Sequence, residues 1–301
     1  MIPPMRGKHT PEQGLGGSPT ESGELARQLS DSSLPYRDPL ARIDWSALSA
    51  DDWWLPPEML SLHGVAAFES LPEARRRALS VAEFVHFAQG GLWLEALFME
   101  RLAAGPKLTG DNAARRIYQL HELREEAGHS LMFMEAIHRS ALAVGNAAWS
   151  RLWFTRAVAR HVPFDSPLFW SAVLLGEEVA DRFSRALRGS AEEINPAIHQ
   201  LVSIHLMDEA RHIAHARDVL GRSMARLPAW RRVPLQRLSA MLFARFARIF
   251  YYPPGQTYEM AGLSGGAQWR RRALANPRRH AFVADQLRSI RKLARDIGIL
   301  P

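Results

Sequence analysis

The 301-residue chain contains no cysteine. That excludes disulfides, zinc–thiolate sites and cysteine nucleophiles, so any metal has to be held by His, Asp or Glu. Lysine is nearly absent too: Lys8, Lys107 and Lys292 are all there is, and the rest of the positive charge is arginine. Such a bias reads first as genomic composition. There is no long apolar run. Nothing approaches the ~18 apolar residues of a membrane span, and the N-terminus lacks the apolar stretch of a secretory signal. A cytoplasmic protein without membrane association is expected. The alternation of β-branched residues that marks strands is also missing. The net charge is +7, but no run of like charge exceeds a few residues. A solvated basic surface is therefore expected, and no nucleic-acid partner.

What the sequence does contain is apolar helix. Hydrophobic residues make up 47% of the chain, enough for a sizeable core. Residues 1–38 are rich in Gly, Pro, Ser and charge, a composition expected to be disordered or loosely docked. Residues 39–301 read as one helical domain. "WWLPPEML" (53–60) is expected to pack along its outside. Long helices are expected over 79–103, 111–144 (Asp111 as N-cap), 166–189 and 195–221, the last two with Ser-Pro and Asn-Pro starts. A shorter helix is expected at about 146–160. The four long helices form a bundle core over about 79–221. Helices over 233–252 and 278–298 belong to a C-terminal set (230–298), joined by a turn at "PPGQTYEMAGL".

The informative stretch is "HLMDEARH" (205–212). His205, Glu209 and His212 are spaced i, i+4, i+7 and fall within about 60° of one another on a helix. Such a stripe suits a metal better than a core, since buried charges need partners. The second helix answers with "REEAGH", where Glu126 and His129 repeat the Glu-x-x-His spacing of Glu209 and His212. Two Glu-x-x-His helices plus one Glu from each of two others is the ligand set of a carboxylate-bridged dimetal bundle. The first helix offers Glu95, and the third offers the adjacent pair Glu177-Glu178. Glu95 to Glu126 and Glu178 to Glu209 are both 31 residues, as two facing hairpins require. By helix face alone Glu177 is preferred, because Trp170, Val173 and Ala180 on its stripe are apolar. The equal offset favours Glu178. Carboxylates mixed with imidazoles suit iron or manganese better than zinc. Glu125 and Asp208 are each placed to accept the free N–H of the histidine on the opposite helix.

In these motifs the chain resembles the AurF family of non-haem diiron N-oxygenases, which includes CmlI. The resemblance runs from about Trp53 to residue 260. It implies an all-α, ferritin-like four-helix bundle core with additional flanking helices. His205 stands where the family has an extra histidine ligand. The implied iron ligands are Glu95, Glu126, His129, Glu178, His205, Glu209 and His212, the family's spacing again favouring Glu178. The implied cofactor is a pair of irons, with O2 as co-substrate. The implied reaction is N-oxygenation of an amine, of arylamine type, in a biosynthetic pathway through a peroxo-diferric intermediate. C–H hydroxylation or desaturation at the same site, or ferritin-like iron oxidation and storage, are the alternatives. A helical DNA-binding or scaffold protein leaves the ligand set unexplained.

No flavin or nicotinamide motif is present, so electrons are expected from an external donor such as a ferredoxin or reductase. The substrate is a small organic molecule, free or on a carrier protein, and a homodimer is expected. The basic segment carrying Arg270, Arg271, Arg272, Arg278, Arg279, Arg288, Arg291, Lys292 and Arg295 is either a docking surface for acidic partners or a solvated cover. Ala88 and Gly91, on the Glu95 stripe, either leave room for substrate or allow close helix packing. His215 is expected off the ligand stripe, and His86 is expected to be structural.

Overall fold

A computed structural model describes residues 19–105, 113–145, 149 and 152–301. Among these residues there is no strand, and no helix is long and apolar enough to cross a membrane. The chain runs α1 (Pro19–Ser33), a single turn α2 (Ala66–Glu69), α3 (Glu73–Ala103), α4 (Ala113–Arg139), α5 (Trp153–His161), α6 (Pro167–Gly189), α7 (Pro196–Ala225), α8 (Ala229–Tyr251), α9 (Gly255–Met260), α10 (Gly266–Ala275) and α11 (Pro277–Ile297).

Helices α3, α4, α6 and α7 form the bundle, α3 packing on α4 and α6 on α7 as two hairpins. At 30 residues α7 is about 45 Å long, enough to carry a site at mid-height with apolar layers above and below. The α6 and α7 starts are set by their caps. Ser166 Oγ accepts from Phe169 N–H, and Asn195 Oδ1 from Ala197 N–H, each followed by Pro at the first helical position. Gly221 does not stop α7, which continues to Ala225 with Gly221 buried inside it. The Asp111 cap lies outside the described residues, as does much of 146–152. The "PPGQTYEMAGL" stretch is not a bare turn: it holds α9.

Below the site the core is an aromatic stack. Phe87 meets Phe133, Phe183 and Phe250 with ring centroids 4.8–5.8 Å apart, mostly edge to face. Two segments are packed more tightly than expected. Trp54 and Leu55 of "WWLPPEML" are fully buried, Trp54 standing edge-on to Phe84. Residues 19–33, inside the stretch expected to be disordered or loosely docked, form α1, which docks on α4 and α7 with Ala26 and Leu29 buried in a small separate cluster with Tyr118. Averaged over 38 residues the composition hides this short apolar stripe; residues 1–18 lie outside the described part.

The C-terminal helices close the bundle: α8 and α11 pack on α6, and α9 on α3. Part of the basic segment is occupied within the protein itself. Arg279 is buried and donates to the carbonyls of Tyr251 and Met59. Arg270 donates to the Pro253 carbonyl, and Arg288 pairs with Asp285. Replacing Arg279 with Met leaves two buried carbonyls without donors. We expect a loss of about 3 kcal/mol in urea unfolding, with the metal content of the folded protein unchanged.

Candidate metal centre

Helical spacing assembles the centre. Glu126 and His129 lie one turn apart on α4, and His205, Glu209 and His212 form a single stripe of α7 facing them. Glu95 comes from α3. None of these six is more than 5% exposed. Candidate ligand atoms of Glu126, His129, Glu209 and His212 lie within 4.8 Å of one another, and so do those of Glu95, His129 and His205. Glu209 Oε1 is the hub. It is 3.4 Å from His129 Nδ1, 3.3 Å from His205 Nε2 and 3.6 Å from His212 Nδ1. Glu126 lies between the Glu-x-x-His histidines, 3.6 Å from His129 Nδ1 and 3.1 Å from His212 Nδ1.

Outside this ring the contacts cross between α4 and α7. His129 Nε2 lies 3.2 Å from Asp208 Oδ2, and His212 Nε2 lies 3.0 Å from Glu125 Oε2. Donation to a carboxylate puts the ring proton on Nε2 and turns the Nδ1 lone pair inward. Arg211 ties the two carboxylates together, its Nη2 lying 2.8 Å from Glu125 Oε1 and 2.5 Å from Asp208 Oδ1. Sequence reasoning missed Arg211, although its place three residues after Asp208 was the available signal. Ser130 Oγ likewise holds Glu95 by one oxygen at 2.6 Å.

On α6 the structure separates the adjacent acids and favours Glu177 over the expected Glu178. Both are 8% exposed, so burial does not distinguish them; their partners do. Glu178 turns outward and accepts from Arg217. Glu177 lies outside the two tight groups, but its carboxyl faces Glu209 and Glu126. Burial first, then repulsion from those two anions, pushes its pKa well up. The equal 31-residue offset therefore does not hold for the third acid, because one residue rotates a helical side chain by about 100°.

The electrostatics are those of a site built for cations. Burial opposes charge throughout. Even so, the carboxylates of Asp208, Glu126 and Glu209 hold His129 up to about 10, and His212 is raised well above the ordinary imidazole value. Asp208 is drawn down to about 2 against its own burial by His129 and Arg211. Glu209 and Glu126 are lowered by the imidazoles around them. Glu95 is raised, mainly by burial. The inward atoms approach as ionic contacts without hydrogen-bond geometry. Among the described residues, both oxygens of Glu126, Glu95 Oε1, Glu209 Oε2 and the Nδ1 atoms of His129 and His212 have no hydrogen-bond partner. Carboxylate and imidazole atoms so placed in one buried cluster fit metal ions, which would displace the imidazole protons.

An apolar cavity adjoins Glu177, between α3, α5, α6 and α8. Its aromatic walls are Trp93, Phe98, Phe169, Phe243 and Phe246. Of the two readings of Gly91, room for substrate or close helix packing, the structure supports the second. A Cβ there would meet the Phe133 ring at 2.6 Å, so Gly91 serves close packing, and that ring in turn lies against His205. His215, off the stripe as expected, is buried with Nδ1 2.9 Å from Glu122 and its ring against Tyr118 and Trp170. His86 is structural, with Nε2 2.9 Å from the Ile249 carbonyl oxygen.

A four-helix bundle with two facing Glu-x-x-His pairs is the architecture of carboxylate-bridged dimetal proteins. A family model described as p-aminobenzoate N-oxygenase AurF matches residues 19–298. The chain belongs to that family, a ferritin-like diiron family. Similar chains include Uncharacterized protein Mb0909 of Mycobacterium bovis, and Uncharacterized proteins Rv0885 and MT0908 of Mycobacterium tuberculosis. Each is 23% identical over 287 residues, which is 92% of this chain and 83% of the relative.

The two α6 acids give a direct test. Glu177→Gln is expected to lower metal affinity at least about 10-fold in a chelator competition. Glu178→Gln removes only the ion pair with half-exposed Arg217, and should leave metal binding unchanged and stability within about 1 kcal/mol.

Proposed function

We propose that this protein is an O2-dependent diiron oxygenase that transfers oxygen to the nitrogen of an organic amine. The observation that carries the proposal is the gathering of Glu95, Glu126, His129, His205, Glu209 and His212 into one buried cluster that Glu177 faces, with several of its carboxylate and imidazole atoms without a hydrogen-bond partner among the described residues. Four carboxylates balance two divalent ions in charge. Membership of a family described as an N-oxygenase supports the choice of nitrogen over carbon as the atom oxidised. When bound, the iron pair supplies the redox chemistry with dioxygen, using electrons from an external donor.

The residues divide that work. Glu126 and Glu209, which lie between the histidines, would hold the iron pair together with Glu95, His129 and His205 on one side and Glu177 and His212 on the other. Asp208 and Glu125 orient the imidazoles of His129 and His212 by accepting their Nε2 protons, and Arg211 keeps both acceptors in place. Ser130 fixes the outer oxygen of Glu95 and leaves the inner one free to coordinate. The apolar walls beside Glu177 exclude water from the face where the amine binds.

Protein purified from iron-replete cells is expected to carry about two irons per chain by elemental analysis. With a reductant and dioxygen it should convert an aryl amine to hydroxylamine, nitroso or nitro product. A single zinc, or no metal at all, would remove the proposal. His205→Ala is expected to change the iron absorption spectrum and cut turnover by about 100-fold while helicity by circular dichroism persists. An unchanged spectrum with full turnover would return His205 to a packing role.

A further inference from the structure

The cavity beside Glu177 differs from what the family description suggests. An aminobenzoate is an anion, and burying its carboxylate requires a cation or a dense set of donors. Among the described residues the cavity wall has no Lys, Arg or His. Arg101, over the Phe169 ring, is engaged elsewhere, donating to the carbonyls of Arg160 and Val162. Apart from Glu177 and the indole N–H of Trp93, the polar side chains of the wall are Thr155 on α5 and Ser239 on α8. Both are at least nine-tenths buried, and among the described residues neither hydroxyl has a hydrogen-bond partner.

Unpaired buried hydroxyls are unusual. Helical Ser and Thr commonly satisfy themselves on a carbonyl of the preceding turn. Two of them in one apolar wall, on different helices, leave neutral hydrogen-bonding capacity for something else to use. Aromatic rings on both sides suit a flat ring between them. Glu177 joins the wall to the metal centre, so the nitrogen of a bound amine belongs at that end.

We infer that the cavity selects an uncharged aromatic amine, bearing a neutral hydrogen-bonding group remote from its nitrogen, which Thr155 and Ser239 receive, and that it rejects the aminobenzoate anion. This rests on the reading of Glu177 as part of the iron site only for the direction in which the amine points. Discrimination by charge and by the two hydroxyls follows from the cavity wall itself.

The test is equilibrium binding to the purified, iron-loaded protein by calorimetry, using 4-aminobenzamide, 4-aminobenzoate and aniline. The first two have nearly the same shape and differ in charge. We expect 4-aminobenzamide to bind at least about 100-fold more tightly than 4-aminobenzoate, and more tightly than aniline. Thr155→Val and Ser239→Ala should each weaken the amide by up to about 10-fold, moving it toward aniline. Equal or tighter binding of the benzoate overturns the charge rule. An amide affinity unmoved in both variants, or no binding of either neutral amine at millimolar concentration, overturns the role of the cavity. Iron is quantified in the same samples. Selective binding by a protein that takes up no iron would leave this inference standing while removing the proposed function, and an iron-loaded protein without selectivity would do the reverse.

Discussion

Glu209 is the residue on which the arrangement depends. One of its oxygens lies within 3.6 Å of inward nitrogens from all three histidines of the cluster. A buried carboxylate is costly unless charge surrounds it, and here the charge comes from two helices at once. That requirement fixes how α4 and α7 face each other: a small rotation of either would carry a Glu-x-x-His pair off the shared point. The crossed contacts of Asp208 with His129 and of Glu125 with His212 apply the same constraint a layer further out. Arg211 then closes that layer into a ring.

What the sequence revealed follows from periodicity. Glu-x-x-His twice, with His205 one turn earlier, marks the ligand stripes because i, i+3 and i+4 share a helix face. The neighbours Glu125 and Asp208 were legible by the same geometry. The choice between Glu177 and Glu178 was not. It depends on how α6 is rotated in the bundle, and α8, α11 and α7 all bear on that. The apolar neighbours of Glu177 pointed the right way, while the equal spacing of the hairpins pointed the other. Arg211 and the His215–Glu122 pair were missed because a charged residue beside a motif reads as surface until its partner on another helix is known. The two readings of Gly91 stayed open for a related reason. A small residue such as Gly91 signals that something approaches closely, and only the structure shows that it is Phe133.

The outer helices have a role of their own. Phe243, Phe246 and Ser239 of α8 complete the cavity wall, and Arg279 of α11 fastens the C-terminal layer to the Met59 carbonyl in the segment that precedes α3. The basic segment, which reads either as a docking surface or as a solvated cover, thus includes internal scaffolding. Chain segments far apart in sequence meet there, which is why neither their burial nor the place of "WWLPPEML" could be read from local pattern.

His205 has a further consequence. The two hairpins present the same Glu and Glu-x-x-His, but α4 has no histidine four residues before Glu126; Glu122 stands there and pairs with His215 instead. The duplicated plan is therefore broken at one position. In the proposed ligand set, the iron near Glu95 has two imidazoles, whereas the one near Glu177 has a single imidazole and borders the cavity. A metal pair held there would have a front and a back: a back crowded with protein donors, and a front with fewer, on the side of the apolar cavity.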